Sequence, residues 1–213
     1  MGRIYDATWG RAFSAFYDSL LKGTEEAGLR EMRRQTLAAA SGRTIDIGAG
    51  TGANLGLYPA AVTGLVLAEP DPHMTKRLRR RLTEEGTSAE LVEAPAERLP
   101  FEDASFDTAV FTLVLCTVPD PKAALAEAAR VLKPGGKLLF VEHVRAADPG
   151  LARWQDRFEG PWRFFADGCH CNRDTVAEIE ASPLSVESIE HGELPKSPPL
   201  TRPLVRGKAT LET

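Results

Sequence analysis

The segment from residue 44 to residue 52, TIDIGAGTG, has residue types and spacing that suit binding of a ligand on the backbone itself. Gly48, Gly50 and Gly52 alternate with other residues, which permits a sharp turn and a close approach of the ligand. If a strand ends before this turn and a helix follows it, the start of the helix offers free N–H groups and a positive dipole end. Ligands of open α/β sheets bind at such strand ends. We therefore predict a site for an adenosine-containing cofactor.

The glycines alone leave two classes of cofactor open. Residues 48–53 also match the G-x-G-x-x-A fingerprint of dinucleotide-binding proteins. Glu69, at the end of the next predicted strand, could bind ribose hydroxyls in either class. Asp46 favours a cofactor with a cationic amino group, because a carboxylate there would repel a pyrophosphate. We also expect no second domain for a hydride acceptor, so a nucleotide-linked oxidoreductase is the less favoured alternative.

Histidines and cysteines in the second half of the chain are candidates for chemistry at the acceptor. His143 ends a predicted strand and is expected to face the acceptor, while Asp167 and His170 share a loop and could act together as a base. The alternative for His143 is a buried imidazole that only bonds the backbone. Cys116 follows a predicted strand, and we expect it to be a buried packing residue in preference to a functional one. The run Cys169-His170-Cys171 predicts no metal site, because adjacent side chains diverge and structural zinc needs about four ligands.

Short strands and helices that alternate from residue 43 onwards must position these residues. The predicted strands are 44–47, 64–68, 89–93, 108–112, 137–143, 185–191 and 204–210. The predicted helices are 53–58, 73–85 and 121–132, with further helices within 150–182. Such alternation is typical of βαβ units in a parallel sheet with helices on both faces. The proline-rich link between the last two strands is too short for a crossover helix, so we expect them to be antiparallel, in a sheet of seven strands.

The N-terminal residues 3–40 are predicted to be helical, since apolar residues recur there at spacings of three and four. Gly23 is expected to break this stretch, with a second helix over about 25–40. The aromatic residues of this segment are either core or a lid over the site: Tyr5, Trp9, Phe13, Phe16 and Tyr17. We expect a single domain over 1–213, with a helical lid (1–40), a cofactor-binding half (43–145) and an acceptor side with the last strands (146–213).

The composition is that of an ordinary globular protein, with 43% hydrophobic and 26% charged residues. A net charge of −4 provides no general attraction to nucleic acid or to anionic lipid. Three cysteines are too few for a disulfide framework and fit a reducing compartment. No apolar run approaches the length of a membrane span, and no signal peptide is recognisable. We expect a cytoplasmic protein without an integral membrane span and without a nucleic-acid partner; the oligomeric state is left open.

Downstream segments carry a family resemblance when they are combined with the glycine motif: LPFEDASFD at 99–107 and RVLKPGG at 130–136. Over about 43–145 the chain resembles the class I S-adenosylmethionine-dependent methyltransferases, in particular the branch of quinone-biosynthesis C-methyltransferases. The segments 111–118, 141–144 and 165–169 are similar to those of the methyltransferase-like thiol S-methyltransferases. The resemblance implies a Rossmann-like α/β fold, with a helical lid and a seven-stranded, mostly parallel sheet that has an antiparallel C-terminal strand.

The resemblance also implies a binding site for S-adenosylmethionine, with S-adenosylhomocysteine as the product. The glycine motif would hold the methionine part, Glu69 the ribose, and Thr112 would lie beneath the methionine part. The adenine would lie among residues that follow the second and third strands. The residues implied to contact the cofactor are Asp46, Gly48, Ala49, Gly50, Gly52, Asn54, Glu69, Pro70, Met74, Ala96, Glu97, Thr112, Tyr5 and Trp9.

The resemblance predicts methyl transfer to a small molecule, with a thiol sulfur as the leading acceptor. Such an in-line displacement needs alignment of the reactants and exclusion of water. A thiol is already partly ionised near neutral pH, so it needs no strong base; His143, or Asp167 with His170, would serve if a base is used. O- or C-methylation of a phenol or quinol is one alternative, and a non-catalytic cofactor-binding module is another. A nucleic-acid methyltransferase is disfavoured, because residues 112–115 read TLVL where its N/D-P-P-Y/F motif would stand.

Overall fold

A seven-stranded sheet forms the centre of the computed structural model, which describes residues 17–19 and 21–212. The strands lie in the order β3-β2-β1-β4-β5-β7-β6. Strands β1 to β5 run parallel to their neighbours among themselves, and β7 runs antiparallel to both β5 and β6. The predicted fold, with its antiparallel C-terminal strand, is therefore confirmed. The strands are β1 (Gly42–Ile47), β2 (Val62–Ala68), β3 (Glu90–Val92), β4 (Phe106–Thr112), β5 (Leu132–His143), β6 (Leu184–Glu193) and β7 (Pro203–Leu211).

Three of the helices around the sheet begin at an Asp-Pro pair. In each, proline occupies the first turn and the preceding aspartate accepts hydrogen bonds from backbone amides that this turn leaves unpaired. The capping residues are Asp71, Asp120 and Asp148. No helix within the described residues has the length and apolar character to cross a membrane. The helices are α1 (Arg30–Leu37), α2 (Pro72–Glu85), α3 (Pro121–Val131), α4 (Pro149–Phe165) and α5 (Thr175–Glu180).

The segment that follows the glycine motif is not the helix that was predicted for 53–58. It forms a series of turns, with Leu55 N donating to Gly52 O and Leu57 N to Asn54 O, each at 3.1 Å. Gly56 has a φ of 70°, outside the helical region, which ends any helix after a single turn. The glycine loop therefore has no helix dipole behind it, and the Gly48, Ala49 and Gly50 amides are bonded to other groups of the protein.

The N-terminal helical region also differs from its prediction. Gly23 remains helical, and the interruption lies at Gly28, which has a φ of 144° inside a π-helical turn (Glu25–Leu29) that leads into α1. A residue without Cβ adopts this angle at little cost. Residues 1–16, which include Tyr5 and Trp9 of the predicted lid, lie outside the described residues.

The central strands are buried on both faces, and because they run parallel they all end at the same edge of the sheet. Ile45, Phe111 and Phe140 are fully buried, in β1, β4 and β5 respectively. Such continuous burial is typical of parallel strands covered by helices on both sides. The carboxyl ends of β1, β2, β4 and β5 therefore lie side by side, and most of the predicted site residues lie along this edge.

Candidate active site at the carboxyl edge of the sheet

The glycine loop after β1 is fixed to the end of β2 by backbone hydrogen bonds. Gly48 N and Ala49 N both donate to Ala68 O, at 2.8 and 3.0 Å. A Cβ at Gly48 would lie 2.6 Å from both methyl carbons of Val114, whereas a Cβ at Gly50 would meet nothing within 4 Å. Gly48 is therefore required by packing, while Gly50 faces open space that a ligand could occupy.

Asp46, near the end of β1, is a buried carboxylate with one satisfied oxygen. It is 1% exposed. Its Oδ2 accepts hydrogen bonds from Asn54 Nδ2 at 2.9 Å and from the Tyr58 hydroxyl at 2.7 Å. Its Oδ1 has no partner among the described residues. Burial raises the pKa of this carboxyl, against the effects of the two hydrogen bonds and of the charge on Arg33. An unpaired buried oxygen is costly, so Oδ1 could accept a hydrogen bond from the cationic amino group of a ligand.

Asn54 links Asp46 to two other elements. Its Nδ2 also donates to Thr112 Oγ1, at the end of β4, at 2.9 Å. Its Oδ1 accepts from Arg33 Nη1 of α1 at 3.1 Å. Arg33 is 2% exposed and pairs with Glu25 at 3.0 Å. The predicted residues Asp46, Asn54 and Thr112 are thus brought together, and Arg33 is a site residue that the sequence analysis did not identify.

Glu69, directly after β2, joins the glycine loop to the start of α2. Its Oε2 accepts from Gly50 N at 2.8 Å, and its Oε1 accepts from Asp71 N at 2.9 Å. Burial raises the pKa of this carboxyl, and the two backbone donors oppose that rise. A carboxylate has about four lone-pair sites. Two of them remain, so Glu69 could still accept hydrogen bonds from ribose hydroxyls.

The residues implied to surround adenine follow β2 and β3 along the same edge. Met74 is buried in the first turn of α2, Ala96 is buried, and Pro70 is exposed. Glu97 accepts from Asp120 N at 3.2 Å and so helps to hold the start of α3. Their contact with adenine stays a prediction.

A small cavity lies against the glycine loop. It is lined by Tyr17, Arg33, Asn54, Thr112, Leu113 and the residues 48–51 and 53. Its volume of about 30 Å³ has room for about one water molecule. Tyr17, which belongs to the predicted lid, is one of the residues that line this cavity. The next residue, Asp18, accepts a hydrogen bond from the Thr51 hydroxyl of the glycine loop.

Cys116, His143 and Cys169, which we call the sulfur–imidazole cluster, meet beyond the ends of β4 and β5. Their potential metal-ligand atoms all lie within 4.8 Å of one another. His143 Nε2 is 2.9 Å from Cys169 Sγ, and Trp162 Nε1 donates to the same sulfur at 3.3 Å. A hydrogen bond from Cys169 holds the pKa of Cys116 well below its usual range. His143 therefore contacts another side chain, and Cys116 lies beside two other side chains that could bind a metal.

Glu142, in β5, positions the segment that carries Cys116. It is fully buried, and its Oε1 accepts from Val114 N at 2.8 Å and from Leu115 N at 3.1 Å. Burial raises the pKa of this carboxyl well above its usual range. Glu142 was not identified from the sequence, where a single acidic residue in an apolar strand does not reveal its partner.

The loop between α4 and α5 carries the other two residues predicted to act at the acceptor. Asp167 and His170 both lie in it, and His170 N donates to Cys116 O at 2.8 Å. The His170 imidazole also pairs with the Glu159 carboxylate of α4, Nδ1 to Oε1, at 2.8 Å. Burial lowers the pKa of His170. The loop thus lies against the segment after β4 and brings Cys169 to His143.

Comparisons with known proteins identify relatives of this chain. Residues 45–140 match a family model described as a methyltransferase domain. The chain is 37% identical to thiol S-methyltransferase TMT1B of Homo sapiens over 196 residues, which cover 86% of this chain and 78% of that protein. It is 33% identical to thiol S-methyltransferase TMT1A of Homo sapiens over 181 residues, covering 82% and 74%. The crystal structure of a SAM-dependent methyltransferase from Thermotoga maritima has a TM-score of 0.69 at 23% identity, covering 96% of this chain and all of the other, which shows a shared fold.

Proposed function

The chain belongs to the class I S-adenosylmethionine-dependent methyltransferases, and we propose that it methylates the sulfur atom of a small thiol. The observation that carries this proposal is the 37% identity to a human thiol S-methyltransferase over most of both chains.

The buried polar groups at the edge of the sheet suit this cofactor. When bound, S-adenosylmethionine supplies a methyl group on a positively charged sulfur. We propose that Asp46 Oδ1, which has no partner among the described residues, accepts a hydrogen bond from its amino group. The free lone pairs of Glu69 would bind ribose, and the bare backbone at Gly50 would lie against the methionine part. The remaining proposed contacts are Gly48, Ala49, Gly52, Asn54 and Thr112 on the methionine part, Pro70, Met74, Ala96 and Glu97 around adenine, and Tyr5 and Trp9 over the site.

A thiol makes modest demands on the residues at the acceptor side. With a pKa of about 8.5, a few per cent of it is thiolate at neutral pH, whereas a phenol with a pKa of about 10 depends more on a base. We propose that His143, together with the loop that carries Asp167 and His170, binds the acceptor and holds its sulfur in line with the methyl group. Well-oriented reactants can in this way lower the barrier by about 7–11 kcal/mol.

The proposal is tested with purified protein, S-adenosylmethionine and a panel of small alkyl and aryl thiols, phenols and quinols. We expect thioether products, identified by mass, that form together with S-adenosylhomocysteine. A kcat/KM for a phenol or quinol above that for every thiol would refute sulfur as the acceptor.

Variants at the acceptor side test the residues. His143→Ala and Asp167→Ala are each expected to lower kcat for the best thiol, while the binding of S-adenosylhomocysteine is unchanged. His191→Ala, at an exposed position of β6, is the matched control. Undiminished turnover in both variants would remove these residues from the proposed site.

A further inference from the structure

The sulfur–imidazole cluster has the composition and spacing of a metal site with three protein ligands. Two cysteine sulfurs and one imidazole nitrogen lie within 4.8 Å of one another. Atoms bound to one tetrahedral Zn²⁺, with Zn–S about 2.3 Å and Zn–N about 2.0–2.1 Å, lie roughly 3.4–3.8 Å apart. These values lie within the range of spacings in the protein: His143 Nε2 and Cys169 Sγ are 2.9 Å apart, and no two ligand atoms of the cluster are more than 4.8 Å apart. Small shifts of side chains would therefore admit an ion between them.

The backbone that carries these ligands is held in place by contacts outside the cluster. Glu142 bonds the amides that precede Cys116, and His170 N bonds the Cys116 carbonyl. Arg173, in the same loop as Cys169, donates to Val118 O at 2.8 Å. His143 continues β5, whose pairing with β4 and β7 leaves it little freedom. Three ligands from three separate segments are thus held close together by contacts that require no metal.

We propose that Cys116, His143 and Cys169 form a binding site for one Zn²⁺ ion, with the fourth coordination position open. Thiolate and imidazole are the ligands that zinc prefers in proteins, and three protein ligands are typical of sites that keep a position for a small molecule. Two thiolates also neutralise the charge of the ion, which reduces the cost of burying it. Of the sequence run Cys169-His170-Cys171, only Cys169 belongs to this site.

The identity of the ligand at the open position rests on the proposed thiol specificity. The acceptor thiol binds there as thiolate, and its proton is released to solvent. A lone pair of its sulfur forms the new S–CH₃ bond while the bond from that carbon to the sulfonium sulfur breaks, and the electron pair stays on the sulfur of S-adenosylhomocysteine. The location suits this step, because the segment from Thr112 to Cys116 runs from the cofactor cavity to the cluster.

Metal binding is tested on the full chain, reduced with a phosphine so that no thiol reductant competes. We expect one zinc per chain by elemental analysis, and thiolate-to-metal absorption when Co²⁺ replaces it. Cys116→Ser, Cys169→Ser and His143→Ala should each lower zinc affinity by more than roughly 100-fold. Cys171→Ser is the matched control, because this buried cysteine contacts the Gln155 carbonyl instead and its loss should leave zinc content unchanged.

Three results would overturn the metal site. One is an absence of stoichiometric zinc from wild-type protein purified and reloaded under reducing conditions. Another is an equal loss of zinc in Cys171→Ser, with circular dichroism showing that all variants fold. A Cys116–Cys169 disulfide in the active protein, found by peptide mass mapping, would also refute it.

The role of the open position has its own readout, the visible spectrum of the Co²⁺ protein on addition of a small thiol. A new sulfur-to-cobalt band that is absent with the matching alcohol supports thiol coordination. An unchanged spectrum refutes thiol coordination, although the zinc site stands. If the protein binds zinc but methylates no thiol, the proposed acceptor fails and the metal site survives, so the two failures are distinguishable.

Discussion

Gly48 and Gly50 are expected to respond to alanine in different ways, although they stand two residues apart in one loop. Both have a positive φ, 73° and 57°, so alanine at either costs about 1–2 kcal/mol in backbone strain. At Gly48 the added methyl group also lies 2.6 Å from two carbons of Val114, and such overpacking adds about 1–3 kcal/mol. Gly48→Ala should therefore destabilise the protein by about 2–5 kcal/mol in total.

At Gly50 the added methyl group meets no protein atom, because its Cβ would point into open space. The additional loss predicted here is one of binding. The methyl group occupies the place proposed for the cofactor and should raise the Kd for S-adenosylhomocysteine at least tenfold, which is about 1.4 kcal/mol. Gly56→Ala is a matched control, since its φ is 70° but it is not among the residues that line the cavity. It should lose stability like Gly50→Ala and keep its affinity.

Thermal unfolding and titration calorimetry with S-adenosylhomocysteine separate these effects. For a chain of this size about 1 kcal/mol corresponds to roughly 2–4 °C in Tm. We expect Tm to fall by roughly 4–20 °C in Gly48→Ala and by roughly 2–8 °C in Gly50→Ala. An unchanged Kd in Gly50→Ala would refute the placement of the cofactor over this backbone. A Tm of Gly48→Ala at or above that of Gly50→Ala would refute the packing argument.

Three further substitutions test the supports of the site. Arg33→Ala leaves the Glu25 carboxylate and Asn54 without their partner, and should lower the free energy of unfolding in urea by about 3 kcal/mol. Arg34→Ala, at an exposed position of the same helix, should change it little. Equal losses in the two variants would contradict the role of burial. Tyr58→Phe removes a donor to Asp46 and should cost about 1–3 kcal/mol, and an unchanged urea midpoint would speak against that hydrogen bond. Because burial raises the folded-state pKa of Glu69, the folded protein binds more protons there than the unfolded chain between about pH 4.3 and the higher folded-state pKa. The contribution of this carboxyl to the free energy of unfolding therefore falls as pH rises through that interval. In cofactor-free protein, the stability of Glu69→Gln relative to wild type should increase with pH. Parallel pH profiles of the two proteins would contradict this.

Features that arise from near neighbours in the chain could be predicted from the sequence. Strand positions follow from short apolar runs, and the starts of α2, α3 and α4 follow from Asp-Pro pairs, in which cap and first turn are adjacent. The helix predicted at 53–58 is one exception. Its apolar pattern is too short to outweigh Gly56, and the segment is held by Asn54 and Tyr58, which bond Asp46.

The glycine motif, Asp46 and Glu69 could be identified from the sequence. The motif and Asp46 are contiguous in the chain, and Glu69 lies at the end of the next predicted strand. The sequence could not distinguish Arg33 from Arg34, since both stand in the same helix and only packing buries the first against Asn54. Likewise, Cys116, His143 and Cys169 are far apart in the chain. They meet because β4 lies beside β5 and because the loop after α4 folds back onto the segment after β4. The glycine motif and its carboxylates could therefore be predicted from the sequence, because each depends on near neighbours in the chain. The sulfur–imidazole cluster was determined by the tertiary structure alone, because strand order and loop docking are set by the packing of the whole domain.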